Sequence, residues 1–328
     1  MTRRGWVLVA QHSTSEVFVL DSLLTLRATA GRAGSGPGEF RSVGALWVID
    51  DSTFTVFDSE LRRLSTFRID GRLLHEHGLN AVLAADTGFF FAGVTGITRT
   101  GHALVVREAP LQGGPGISRP ILHRAMLKAD RLQPFGDPVP GRELWEGPPN
   151  EDGHIPLGVS PFASTPLAVV CGESVIDASS HSMELKYRDE TGRLRQVVRY
   201  SRAPIPISDS HIRKKFAEQQ PGAAVPDDAF LKLTREMSAE TTLPVLDQLL
   251  CDPEGGLWTV ESAIPGGRWK VATRHGEDGA RSLSLRIPAR LRVLAVGSDR
   301  ILAVAVDSDT GEERLEIWRG TATGGPKD

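Results

Sequence analysis

Two histidines in the segment LLHEHG, His75 and His77, are spaced to share one face of a strand, because side chains alternate along a strand. Two imidazoles so placed could begin a metal site. No third ligand is identifiable beside them, and adjacent polar residues at a strand end are the plainer account. A second cluster, GPPNEDGHIPLG, gathers Asn150, Glu151, Asp152 and His154, the residue types used by a general acid/base pair or a calcium site. Glu151, Asp152 and His154 are the candidate ligand-binding residues; a polar loop between structural units has the same composition. The run DSDTGEE at 307–313 hints at a calcium loop, but Gly311 stands where Asp or Asn is wanted, so a hairpin turn explains it better. No cofactor is expected, calcium being the one alternative to consider, and no metal-ligand set or catalytic residue can be named. No G-x-S-x-G elbow, H-E-x-x-H helix or locally supported Cys–His pair occurs.

The stretch GRAGSGPGEFRS, residues 31–42, raises the question of a phosphate loop. Such a loop follows a strand and opens a helix, whose amides supply the anion site. Here the following VGALWVIDDSTFTVF alternates like further strand, and no Lys-Ser or Lys-Thr follows the last glycine. The glycines therefore serve backbone geometry, with positive φ and close chain approach where one unit hands over to the next. Lys214 and Lys215 form too short a basic run to mark an anion site and read as a solvated face. Trp47, Trp258 and Trp318 lie inside apolar strands, where burial is simpler than a sugar platform; Trp145 fits either reading.

The elements that would position these residues are written as repeats. EVFVLDSLLTLRATAG, FTVFDSELRRLSTFRIDG, MELKYRDETGRLRQVVRYS and WKVATRHGEDGARSLSLRIP each read as a β-hairpin, and most follow a further pair of short apolar runs around a turn. About six units result, near 5–30, 43–78, 80–145, 157–201, 243–288 and 289–319, at the period of a propeller blade. Ringing the blades around an axis covers both apolar faces of every sheet, and a β-sandwich would need far fewer strands. The expected fold is all-β: a six-bladed β-propeller of four-stranded antiparallel blades spanning 1–319 as one domain. A small insertion at 208–240 reads as two short helices, the first capped by Ser208 or Asp209, with PGAAVP between them. The tail at 320–328 lacks apolar residues and reads as disordered.

Composition narrows the function classes. A chain of 328 residues with net charge −3 and 24% charged residues has no basic field, which argues against a nucleic-acid partner. No apolar run approaches the roughly 18 residues of a membrane helix. The start, MTRRGWVLVAQHS, is basic, but its apolar run is shorter than the roughly 7–15 residues of a secretory core, so no signal peptide is read. Cys171 and Cys251 end the similar runs LAVVC and DQLLC; equivalent places in neighbouring blades would hold them beyond the ~7 Å that a disulfide spans, so buried free thiols are expected.

The segment GRAGSGPGEFR resembles the G-R-x-G-x-G-P-G-E-F signature of the bacterial six-bladed β-propeller proteins related to NHL repeats. DETGRLRQVVRYSRAPIPIS, the helical insertion and LPVLDQLLCDPEGGLWTVE are similar to that family in the same order, and the resemblance covers roughly Gly5 to Arg319. It implies an exported or lipid-anchored envelope protein, and it carries no catalytic set. Family members have an export signal and an initial strand that completes the last blade; both are missing here, so the true start is expected upstream, with an extracytoplasmic address. Two functions follow. The first is a non-enzymatic, monomeric scaffold binding a protein, peptide or glycan on one rim lined by 109–120, 146–156 and 208–240. The alternative is a metal-dependent hydrolase or lyase of gluconolactonase type, with an ion held in the central channel by inward acidic and histidine side chains.

Overall fold

The computed structural model describes residues 1–86, 88–109, 116–149, 152–220, 222–276, 279–306 and 312–319. The first sheet holds β1 (Val7–Gln11), β2 (Glu16–Leu20) and β3 (Leu26–Ala30). The second holds β4 (Val43–Val48), β5 (Thr53–Asp58), β6 (Arg63–Arg68) and β7 (Leu73–Gly78). After a short helix α1 (Asn80–Ala84), β8 (Phe90–Ile97) and β9 (Ala103–Glu108) begin the third sheet; β10 (Gly116–Ser118) leaves it. The third sheet is completed by β11 (Ile121–Lys128) and β12 (Arg131–Pro134), and β13 (Val139–Pro140) pairs with the start of β11. β14 (Leu144–Glu146) and β15 (Leu157–Gly158) join β10 in a small separate sheet. The fourth sheet is β16 (Pro166–Cys171), β17 (Ser174–Ser179), β18 (Glu184–Arg188) and β19 (Leu194–Arg199). Helices α2 (Asp209–Gln219) and α3 (Asp228–Glu236) follow as the inserted pair. The fifth sheet is β20 (Leu246–Cys251), β21 (Leu257–Glu261), β22 (Trp269–His275) and β23 (Arg281–Pro288); the sixth is β24 (Arg292–Val296), β25 (Arg300–Val306) and β26 (Glu313–Arg319).

The first strands of successive sheets lie side by side, β1 by β4, β4 by β8, β8 by β16, β16 by β20 and β20 by β24. A sheet buried on both faces needs a neighbour on each, and the core accordingly divides into clusters between adjacent sheets. Val17 and Val19 meet Phe54 and Phe67 between the first and second; Leu64 meets Val105 and Leu127 between the second and third. Met126 meets Val175, Leu185 meets Leu257, and Trp258 meets Ile301 in the next three gaps. Val7 and Leu20 pack with Leu302, which brings the sixth sheet against the first. The architecture is therefore a β-propeller with a two-helix insertion. Strand number departs from four per sheet in three places: the first and sixth sheets have three, and the third gains β13. Trp258 is fully buried, and Trp47 and Trp318 pack partly buried against the clusters, as their apolar settings implied.

Strand count explains the glycine-rich stretch. With three strands, the first sheet ends on the rim opposite to that where β4 begins, so residues 31–42 must cross the full height of the sheet. Gly71, in the β6–β7 turn, lies against the carbonyl of Thr29 at one end; Ser42 accepts from Ser59, after β5, at the other. In between, Phe40 is fully buried, and Gly31 has φ of +79° with room for no side chain: a Cβ there would sit 2.2 Å from the Phe40 ring. The stretch opens no helix, and its reading as a linker stands.

The cysteines overturn their expected state. Cys171 and Cys251 form a disulfide with Cα atoms 5.3 Å apart. Equivalent places in neighbouring sheets are far apart at the periphery of a ring, but these residues end the innermost strands β16 and β20, which converge on the axis. The free-thiol expectation took equivalent places in neighbouring blades to be widely separated, which does not hold for the innermost strands.

One buried group gives the fold a pH dependence. His275, 1% exposed, lies 2.7 Å from the Tyr200 hydroxyl through Nδ1 and 2.9 Å from Thr259 Oγ1 through Nε2. Burial, opposed in part by a hydrogen bond to the Gly279 backbone and aided by the charge of Arg281, pushes its pKa down from 6.5 to about 4. The unfolded chain therefore binds a proton that the folded chain refuses as pH falls from about 6.5 to 4, and stability drops across that window by on the order of 3 kcal/mol. Above the unfolded pKa the effect is absent. Urea midpoints measured between pH 7 and 4 are expected to fall more steeply for the native chain than for His275→Asn; parallel slopes would remove His275 as the cause.

Candidate functional site

The inner strands define two rims. Their starting ends carry the helices, the small β10–β14–β15 sheet and the β9–β11 and β21–β22 connections; their finishing ends carry short turns. On the helix-bearing rim, Ser208 caps α2 by accepting from the amide of His211, whose side chain accepts in return from the amide of Ser208. Asp227 caps α3, accepting from the amide of Phe230 at 2.8 Å. The helices meet through the edge-on rings of Phe216 and Phe230, 5.0 Å apart, and an Arg235–Asp209 ion pair. Ile212 and Leu231 are the buried anchors, seated on Phe162 and Leu243. Lys215 pairs with Glu218 at 3.5 Å and the stem of Lys214 lies across Gly266, so the two lysines belong to the helix surface rather than to an anion site.

Glu143 ties this rim together. Its side chain is fully buried and accepts from the amides of Ser164 (3.2 Å) and Ala239 and from Ser238 Oγ (3.1 Å). Arg119 stands 3.7 Å away and also pairs with Glu240 at 3.1 Å. One carboxylate thus joins the start of β14, the approach to β16 and the exit from α3. Glu143→Gln leaves one acceptor oxygen where two served, turning an NH₂ toward amide donors. It is expected to cost about 2 kcal/mol and to speed amide exchange across 209–236; unchanged exchange there would show the helices to be held by their apolar anchors alone.

The described parts of 109–120, 146–156 and 208–240 lie on this rim. β10 pairs with β14 and β14 with β15, Ile117 opposite Trp145 and Trp145 opposite Gly158. Trp145 is part of this sheet, its ring lying so close to Gly147 that a Cβ there would be 2.6 Å away. Of the candidate ligand residues, Asp152 and His154 are exposed in the β14–β15 connection, and Glu151 lies outside the described residues with Asn150. The 307–311 part of the hinted calcium loop, residues 110–115 and the 320–328 tail also lie outside them. Among the described residues, no group of three or more His, Cys, Asp or Glu is arranged to hold a metal ion, and no helix is long and apolar enough to cross a membrane.

What the sequence did not announce is the apolar character of this rim. Ile117, Ile155, Leu157 and Val225 are 41%, 52%, 68% and 78% exposed, and Phe90 and Ile121 stand exposed at the same ends of β8 and β11. His75 and His77 lie elsewhere: they share a face of β7, as their spacing required, and open onto a cleft between the second and third sheets.

No family model matches the chain, and no curated protein matches it. Solved structures with similar chain traces include a putative exported protein of Bacteroides fragilis, 13% identical, covering 93% of this chain and 78% of that one with a TM-score of 0.45. A functionally unknown protein of Desulfotomaculum acetoxidans is 10% identical over 98% of this chain and 94% of its own, at a TM-score of 0.41. Hsv2 of Kluyveromyces lactis is 8% identical over 96% and 94%, at 0.37. At these values none of the three bears on what this chain does.

Proposed function

We propose that the protein is a non-enzymatic propeller scaffold that binds a protein or peptide on its helix-bearing rim, with a glycan as the other ligand class open to it. The observation that supports this is the exposure of Ile155, Leu157 and Val225 in segments of the rim that carries α2 and α3. Large apolar side chains exposed on one rim are candidates for an interaction surface, and a rigid ring carrying irregular segments is a common way to present one. Asp152 and His154 would supply polar contacts at its margin. For the hydrolase or lyase reading, the described residues offer no metal-holding set to argue from. Kinship with the NHL-related propellers remains part of this proposal and rests on the glycine-rich signature.

An extracytoplasmic address belongs to the same reading. It is supported by the Cys171–Cys251 disulfide, because such bonds persist in oxidising compartments and are rare in the cytosol.

The test places a photo-crosslinking amino acid at Leu157 or Val225 and, as controls, at Leu74 or Leu194 on the other rim, in the producing cell. Discrete adducts from the first pair alone are expected. Adducts from neither pair, or equally from both, would remove the rim as a binding surface.

A further inference from the structure

The cleft that receives His75 and His77 is a second, independent site, and we propose that it binds a neutral, polyhydroxylated small molecule, a mono- or disaccharide. It encloses about 420 Å³ between the second and third sheets, within the roughly 300–1,000 Å³ of small-molecule sites. It opens on the rim opposite the helices, among the β4–β5, β8–β9 and β11–β12 turns.

Its chemistry selects the ligand by exclusion. Thr53, Thr55, Thr66, His75, His77 and His102 line it. Hydroxyls donate and accept, and imidazole nitrogens add further hydrogen-bonding positions, which suits a ligand whose own groups do both. No lysine or arginine among the described residues lines the cleft, so a phosphate or carboxylate would lack a counter-charge. The carboxylates present make an anion worse. Asp130 stands at the mouth, and Glu76 is engaged by Arg63 at 3.2 Å and by Ser65 Oγ at 2.9 Å. A purely apolar ligand would strip water from the hydroxyls and imidazoles without replacing their hydrogen bonds. Leu64, Ile97 and Leu127 supply an aliphatic wall for the C–H face of a sugar ring.

Two details show polar capacity held toward this space. His77 Nε2 is 3.3 Å from Asp130 Oδ1, yet the atoms are not aligned for a hydrogen bond, and Nε2 is buried without one. A ligand hydroxyl beside the pair, accepting from Nε2–H and donating to the Asp130 carboxylate, would satisfy both. Asp130 is held over the mouth by a turn in which Ala129 and Asp130 have φ of +43° and +61°. Both positions favour glycine or asparagine in such a hairpin, and a strained turn kept beside a cleft is a feature of ligand sites.

Calorimetric titration with glucose, galactose and maltose, and in parallel with glucose 6-phosphate, glucosamine and inorganic phosphate, tests this. At least one neutral sugar is expected to bind with Kd at or below about 1 mM, and its 6-phosphate about tenfold more weakly. Asp130→Asn, at the exposed mouth, and His77→Ala are each expected to weaken binding about tenfold without moving the thermal midpoint. The proposal is overturned if no neutral sugar binds, if a phosphorylated or amino sugar binds more tightly than its neutral parent, or if folded Asp130→Asn binds as the native protein does.

Discussion

Phe40→Ala is expected to destabilise the protein by about 3–5 kcal/mol, the range for removing a buried aromatic side chain. The ring is fully buried, tilted against Phe67 at 5.7 Å, and closed over by Gly31. It is the apolar anchor of a 12-residue connector that stands where the first sheet lacks a fourth strand, and little else can collapse into its place. The connector's other ties are polar: Arg63 reaches the carbonyls of Gly36 (3.0 Å) and Glu39 (2.6 Å), and Glu39 accepts from Gly36 and Arg32. These fix its path without supplying comparable burial. Gly31→Ala should act on the same contact, since the new methyl group needs both a positive φ and the volume the ring occupies. The two losses should therefore not add. Urea unfolding decides the matter; a loss under about 1 kcal/mol for Phe40→Ala would mean that the connector does not seal the gap between the first two sheets.

Replacing both cysteines, Cys171→Ser with Cys251→Ser, is expected to cost about 4 kcal/mol. The bond closes a loop with a sequence separation of 80, and the chain-entropy relation for a loop near that length gives roughly 4–5 kcal/mol. Cys171 is buried and Cys251 packs against the same cluster, so serine also places a hydroxyl in apolar surroundings. Strong reductant should reproduce most of the loss in the native chain and none in the variant. A thiol titration under denaturing, non-reducing conditions gives the independent check: no reactive thiol is expected, and two would sink the pairing.

How much of this was legible in the sequence depended on range. The hairpins, the linker role of residues 31–42 and both inserted helices follow from local pattern, because alternation, glycine density and capping residues act over a few positions. Ser208 was one of two named caps and is the one used. The β10–β14–β15 sheet was not legible: strands of two or three residues carry no period. Glu143 carried no local signal either, since the groups that hold it lie 21, 95 and 96 residues along the chain. The disulfide was misread because two positions were compared by their place in the repeat and not by their distance from the axis. At the sites, spacing put His75 and His77 on one face, but nothing in LLHEHG announces that His102 and Asp130 come from the next sheet to meet them.

The disulfide has a mechanical consequence. It ties β16 to β20 at their finishing ends, whereas α2 and α3 enter the ring at the starting end of β20, about five residues or roughly 17 Å away. A covalent pin at one end of two adjoining plates acts as a fulcrum: any rocking between them swings widest at the other end. At the starting end the same two sheets are joined without a covalent bond, Val245 and Leu246 donating to the Ser180 carbonyl at 2.7 and 2.9 Å, so the covalent tie is the one that would hold if those bonds opened.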